Sequence, residues 1–176
     1  MITLEGGYAF CYLSMVLDAY TEEIIGWSVG PTLETAYPLE ALTMALKRIE
    51  GLQVVPIHHS DRGCQYASHE YVGKLKGRGI SISMTEGGDP KDNAQAERVN
   101  STMKNELLKG MVFHDICDVR RAVSRAMDFY NNERPHMSLD MMTPADASSR
   151  TGEIAKCWRS YRQAAIKKLA ACAGCD

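Results

Sequence analysis

Apolar and polar positions follow two rhythms along this chain. Ile80-Ser81-Ile82-Ser83-Met84 has a period of two, as a half-buried strand does. Leu39, Leu42, Thr43, Leu46 and Ile49 recur at helical spacing. They predict a crossover helix, entered through Pro31-Thr32-Leu33-Glu34 and closed by Gly51. Two longer apolar runs, Tyr8 to Asp18 and Ile24 to Val29, predict neighbouring strands joined by Tyr20-Thr21-Glu22-Glu23. Before them, Ile2-Thr3-Leu4 and Glu5-Gly6-Gly7 read as a strand stub and a hairpin turn. Val54 to Ser60 is a further strand, kept short because Pro56 fits only near a strand start or an edge.

The second half reads as mainly helical. Ser68 to Gly79 is a helix with an N-cap serine and an apolar face of Tyr71, Val72 and Leu75. Glu86-Gly87-Gly88-Asp89-Pro90 is a loop. Residues 92–109 then predict a two-faced helix. Asn93, Glu97, Asn100 and Lys104 form its polar stripe, and Ala96, Val99, Met103 and Leu107 its apolar one. His114-Asp115 opens another helix, with Val119, Ala122, Val123, Ala126, Phe129 and Tyr130 inward and Pro135 at its end. A loop reaches Pro144, and Ala145 onward holds one more turn.

The length of 176 residues and the 45% apolar content suit one globular domain with its own core. Asp18 and the Glu22-Glu23 pair interrupt the most hydrophobic region, so no apolar run reaches membrane-span length. The N-terminus lacks the basic-then-apolar pattern of a signal peptide. Six scattered cysteines fit reduced thiols in a cytoplasmic protein better than a disulfide scaffold. The net charge of −2 argues against tight DNA binding by this domain alone, since phosphate neutralisation needs clustered Lys and Arg.

Three blocks carry candidate chemistry. His59-Ser60-Asp61-Arg62-Gly63-Cys64-Gln65-Tyr66 places Asp61 where a strand stops. Asp92-Asn93-Ala94-Gln95-Ala96-Glu97 places Glu97 in the first turns of a helix, with thirty-five residues between it and Asp61. Phe129-Tyr130-Asn131-Asn132-Glu133-Arg134-Pro135-His136 is followed by Thr143-Pro144. Taken singly, an Asp after a strand is ordinarily a turn residue and a Glu in a helix a solvated one. In this order and spacing, the blocks resemble the catalytic core of the retroviral-integrase superfamily, specifically insertion-sequence transposases of the second-reading-frame type. The resemblance covers about residues 2–147.

The resemblance implies a ribonuclease H-like α/β fold, a mixed sheet flanked by helices. It implies metal-dependent DNA cleavage and strand transfer at element ends, and Asp61 and Glu97 as catalytic, metal-binding acids. Hard cations such as Mg²⁺ or Mn²⁺ prefer carboxylate oxygens, and a two-metal site suits in-line attack at phosphorus. Arg62, Gln65, Asn93 and Lys104 become candidate DNA contacts. Arg62 could equally orient a carboxylate, and capping is slightly favoured for Asn93. The implied partners are DNA and further copies of the chain, with no membrane.

The family's first, central strand carries its first catalytic Asp, and that position falls before Met1. The expectation is therefore a core over residues 1–147 with its first strand largely missing, open edges on the neighbouring strands, marginal stability and crippled strand transfer. Asp18 is expected to bond turn amides, with substitution for the first ligand as the rival reading. His58 and His59 face opposite sides of a strand and are expected to be structural. Arg134 and His136 are expected to lock the turn at Pro135. Glu86 stands where the family often has a basic residue. Residues 148–176 form a basic tail, and Cys172-x-x-Cys175 is half a zinc site without a partner half. The alternatives are a non-catalytic remnant that dimerises or binds DNA, and a nuclease acting on RNA–DNA hybrids.

Overall fold

The computed structural model describes residues 1–7, 9–51, 55–85, 93–155 and 157. The predicted loop at 86–90, the tail beyond Cys157 and the Cys172–Cys175 pair lie outside the described residues.

Gly6 and Gly7 adopt left-handed φ angles of 87° and 75°, which a hairpin turn needs and side chains resist. They return β1 (Ile2–Thr3) onto β2 (Phe10–Leu17) in antiparallel register, with Ile2 opposite Cys11. β2 then pairs with β3 (Ile24–Gly30), with Met15 opposite Trp27 and a register shift at Val16 and Leu17.

Successive residues of a strand point to opposite faces. On β3, Gly26, Ser28 and Gly30 meet α1 (Ala36–Arg48), while Trp27 and Val29 join the cluster under the long C-terminal helix. Ser28 donates to Glu40 Oε2 across the first contact at 2.6 Å. α1 sits very close to β3. A Cβ at Gly26 would lie 2.1 Å from the Ala41 carbonyl oxygen and 2.9 Å from the Ala45 nitrogen. Both are backbone atoms and cannot turn aside. Gly26→Ala is therefore expected to lower stability by about 3 kcal/mol, at the upper end of overpacking costs, read as a fall in the urea midpoint.

β4 (Ile57–Ser60) and β5 (Ser81–Met84) are parallel, with His58 opposite Ile82. Parallel neighbours need a crossover, and α2 (His69–Lys76) supplies it. Ser68 caps α2 by accepting from the Tyr71 amide. Tyr71 and Leu75 pack with Leu42, Leu46 and Ile80 into a second core cluster. Hydrogen bonding thus forms a three-stranded sheet, β1-β2-β3, and a two-stranded one, β4-β5. Among the described residues the two sheets share no ladder.

α3 (Ala94–Thr102) runs into a π-helical turn, Met103–Leu107, closed by Leu108 N–H donating to the Met103 carbonyl. The uniform helix expected over 92–109 is corrected here. Residues five apart lie on different faces of a regular α-helix. The wider turn brings Met103 and Leu108 to one side, and both are buried. α4 (Ile116–Asn132) is capped by Asp115, which accepts from the Asp118 amide. It buries Val119, Ala122, Val123, Ala126, Met127 and Tyr130 against the β1–β3 sheet. Phe129, expected inward, is 41% exposed, and Met127 takes the core position instead. A 3-10 turn at Met137–Leu139 and a short α5 (Pro144–Ala147) follow. Among the described residues no helix is long and apolar enough to cross a membrane.

Candidate active site

Asp61 follows the last residue of β4 and is exposed. Its Oδ1 accepts from the Gly63 amide at 2.9 Å, a short Asx-type turn that fixes the carboxylate at the strand end. Arg62 donates from Nε to the Thr85 carbonyl at 2.7 Å, which ties the end of β4 to the end of β5. Tyr66 stacks edge-on against Tyr71, and Tyr71 against His58. Burial pushes the Tyr66 hydroxyl up from its ordinary value, and the Asp61 charge adds to that. His58 bonds the Tyr71 hydroxyl and His59 bonds Ser83, so the two imidazoles face opposite ways, as expected. Burial holds His58 below the usual histidine range.

Asp61 lines a cavity of about 690 Å³ between the two sheets. Asn93, Ala96 and Asn100 of the α3 segment line it too. Glu97 is exposed and is not among the lining residues. It stands four residues after Asn93 and three before Asn100, the spacing of one helical stripe. The strand end that bears Asp61 and the helix that bears Glu97 therefore border one space.

Asn93 holds the N-cap position of α3, but its side chain makes no capping hydrogen bond. The preference for capping is corrected: the residue lines the cavity. Gln65 is half-buried, and its Oε1 accepts from the Cys64 thiol. Lys104 is exposed within the π turn. Asp18 also lines the cavity, and its Oδ1 accepts from the amides of Tyr20 and Thr21 at 2.8 and 2.9 Å, as expected of a turn residue. Gln95 bonds the Ala19 carbonyl and holds α3 against the same turn. Among the described residues no group of three or more His, Cys, Asp or Glu side chains could hold a metal ion.

The sequence reading passed over Glu22. It is 8% exposed, sits at a left-handed φ of 56°, and accepts from Ser138 at 2.7 Å. His136 Nδ1 lies 3.3 Å from the same oxygen, and Tyr130 meets the His136 ring edge-on. Burial raises the Glu22 carboxyl, but the two hydrogen bonds and the positive charges of His136 and Arg98 outweigh it and hold it below the usual range. Arg134 forms a two-pronged bond to Glu106 in the π turn. Asn131 bonds both the amide and the carbonyl of Ile24. The third sequence block therefore grips the β2–β3 turn and the end of the Glu97 helix, well beyond the turn at Pro135. The block itself was the available signal; its partners, far away in the chain, gave none.

Two family profiles described as integrase core domain match residues 1–90 and 78–144. A transposase of insertion element IS629 from Shigella sonnei is 35% identical over 140 residues, covering 78% of this chain and 46% of that protein. A putative transposase of IS986/IS6110 from Mycobacterium tuberculosis is 36% identical over 142 residues, covering 78% and 51%. The chain spans about half the length of these curated relatives. Among solved structures, a simian T-cell lymphotropic virus intasome chain superposes with a TM-score of 0.69 at 15% identity, over 90% of this chain and 55% of that one. The HTLV-2 integrase catalytic core in complex with magnesium superposes with a TM-score of 0.56 at 15% identity, over 79% and 92%. The fold is that of an integrase catalytic core, ribonuclease H-like.

Proposed function

The chain belongs to the integrase core domain family, and on that premise we propose that it is a core for DNA transposition, cleaving and joining phosphodiesters at the ends of an insertion element. The observation that carries the reading is the shared border of Asp61 and the Glu97 helix along one cavity. Asp61 and Glu97 are the catalytic acids. Their carboxylates are hard oxygen donors, and Mg²⁺ is commonly held by one or two carboxylates with waters and phosphate oxygens completing its shell. The donor set therefore fits a divalent ion, Mg²⁺ or Mn²⁺, and two ions by analogy with the family. When bound, such ions activate a water and offset the charge that develops on the phosphate.

The other residues position. Gln65 and Asn93 offer amide groups beside Asp61 for the DNA backbone. Arg62 braces the strand end through Thr85, and Lys104 is a more distant phosphate contact. The assembly works as a homo-oligomer on DNA. Residues 1–147 form the core, and 148–176 a basic tail.

Asp18 is committed to turn amides, so among the described residues Asp61 and Glu97 are the acids proposed for the cation. The same observation favours the second reading, a DNA-binding or dimerising remnant. The test incubates the chain with duplex DNA from the element ends flanking its gene, in Mg²⁺ and in Mn²⁺. Slow, metal-dependent nicking at the element ends supports the proposal. DNA binding or dimerisation without any nicking in Mn²⁺ supports the remnant instead.

A further inference from the structure

Glu97 sits on a helix with few buried side chains of its own. Within α3 the buried residue is Val99, and Met103 follows it in the π turn. Asn93 at the N-cap gives the first turn no side-chain hydrogen bond. A helix packed through so few side chains can roll about its axis at little cost. Side chains stand roughly 5 Å from a helix axis, so a roll of about 30° would carry the Glu97 carboxylate by about 3 Å. In catalysis, about 1 Å of misplacement is enough to cost roughly a hundredfold in rate.

Gln95 opposes that roll. Its Nε2 donates to the Ala19 carbonyl at 3.2 Å. Residues advance by about 100° around a helix, so Gln95 and Glu97, two positions apart, project roughly 160° from one another. The bond grips one side of the first turn and leaves Glu97 on the other. Val99, four positions beyond Gln95, shares the gripped side. Arg98 lies close enough to Glu22 for its charge to lower that carboxyl.

The acceptor is itself held in place. The Tyr20 hydroxyl, next to Ala19, donates to the Gly152 carbonyl at 2.6 Å. Glu22 accepts from Ser138, and Asn131 bonds both backbone groups of Ile24. At the far end of the same helix, Arg134 holds Glu106 through two bonds. Asn131, Arg134 and Ser138 belong to one short stretch of chain. Both ends of the Glu97 helix are therefore referred to a single frame.

We propose that Gln95 is a positioning residue, which sets the roll of α3 and so holds Glu97 toward the cation it shares with Asp61. The proposal rests on the reading of Asp61 and Glu97 as a joint cation site.

The test uses the full chain and two variants. Gln95→Met keeps the side-chain length and the helix propensity but donates nothing. Gln95→Lys restores a donor. The bond is exposed, so Tm should hardly move in either variant. Amide residual dipolar couplings, taken without metal, report the orientation of α3. Those of Ala94 to Arg98 are expected to change in Gln95→Met, relative to β2 and β3, and to return toward the parent values in Gln95→Lys. Mn²⁺ is then titrated into the same samples and line broadening followed. In the parent chain the amides around Asp61 and Glu97 should broaden together. Gln95→Met should need about fivefold more Mn²⁺ for that joint broadening, the weight of one hydrogen bond, and Gln95→Lys less. Unchanged couplings in Gln95→Met would overturn the proposal. Changed couplings with an unchanged Mn²⁺ midpoint would overturn it too, as would a Gln95→Lys variant that behaves like Gln95→Met. Absence of joint broadening in the parent chain would instead bring down the joint cation site, and the proposal with it.

Discussion

Glu22→Ala is expected to destabilise the chain by about 3 kcal/mol, the cost of leaving two buried hydrogen-bonding side chains without their shared acceptor. For a domain of this size that is a fall in Tm of roughly 6–12 °C. The carboxylate is the shared acceptor for Ser138 and His136, and its removal leaves both side chains without that partner. His136 Nε2 is already a buried atom without a partner, so the ring has no second bond to fall back on. Alanine at a left-handed φ carries a strain similar to that of glutamate, so the loss reports the side chain rather than the backbone. Glu22→Gln keeps an oxygen for Ser138 and should lose less.

The pH dependence has a definite sign. The folded Glu22 carboxyl lies below its ordinary value of 4.5, because the His136 and Ser138 bonds and the nearby positive charges prevail over burial. A depressed carboxylate contributes stability above its unfolded pKa and loses it as pH falls through the folded one. The Tm gap between the parent chain and Glu22→Gln should therefore be constant above about pH 5 and close on acidification below it. Differential scanning calorimetry from pH 7 downward checks this.

Asp61→Asn is expected to reduce nicking of element-end DNA by about a hundredfold or more, a barrier increase of roughly 3 kcal/mol. The amide retains the shape and can still accept from the Gly63 amide, so the strand end should keep its geometry and the Tm should hardly move. What is lost is the negative oxygen that attracts a cation. Glu97→Gln should act alike, because its exposed side chain bears little of the core. The Asp61→Asn, Glu97→Gln double variant should be no slower than either single variant, as groups that act as one unit are not additive. Single-turnover cleavage in Mn²⁺ measures all three.

Much of the fold was legible because its signals are local. Ile80 to Met84 alternates, Ser68 and Asp115 cap the helices that follow them, and Gly6-Gly7 turns the chain; each outcome is decided within a few residues. Asp61 and Glu97 stood out as candidates only through their flanks, since neither residue type is informative alone. The failures required knowledge of distant partners. The π turn exists so that Met103 and Leu108 can both face the core, which periodicity within one helix cannot express. Phe129 turns outward because Met127 and Tyr130 already fill the inner face of α4. Glu22 gave no signal within the Tyr20–Glu23 connection because Ser138 and His136 lie more than a hundred positions away.

The central claim is that Asp61 and Glu97 serve one cation. Mn²⁺ titrated into the isotopically labelled chain broadens NMR signals near wherever it binds. The account predicts that the amides around Asp61 and those of Ala96 to Arg98 broaden together, over the same range of added metal, and that either Asp61→Asn or Glu97→Gln spares both sets. Broadening confined to one set, or loss of only the local set in each variant, would contradict it.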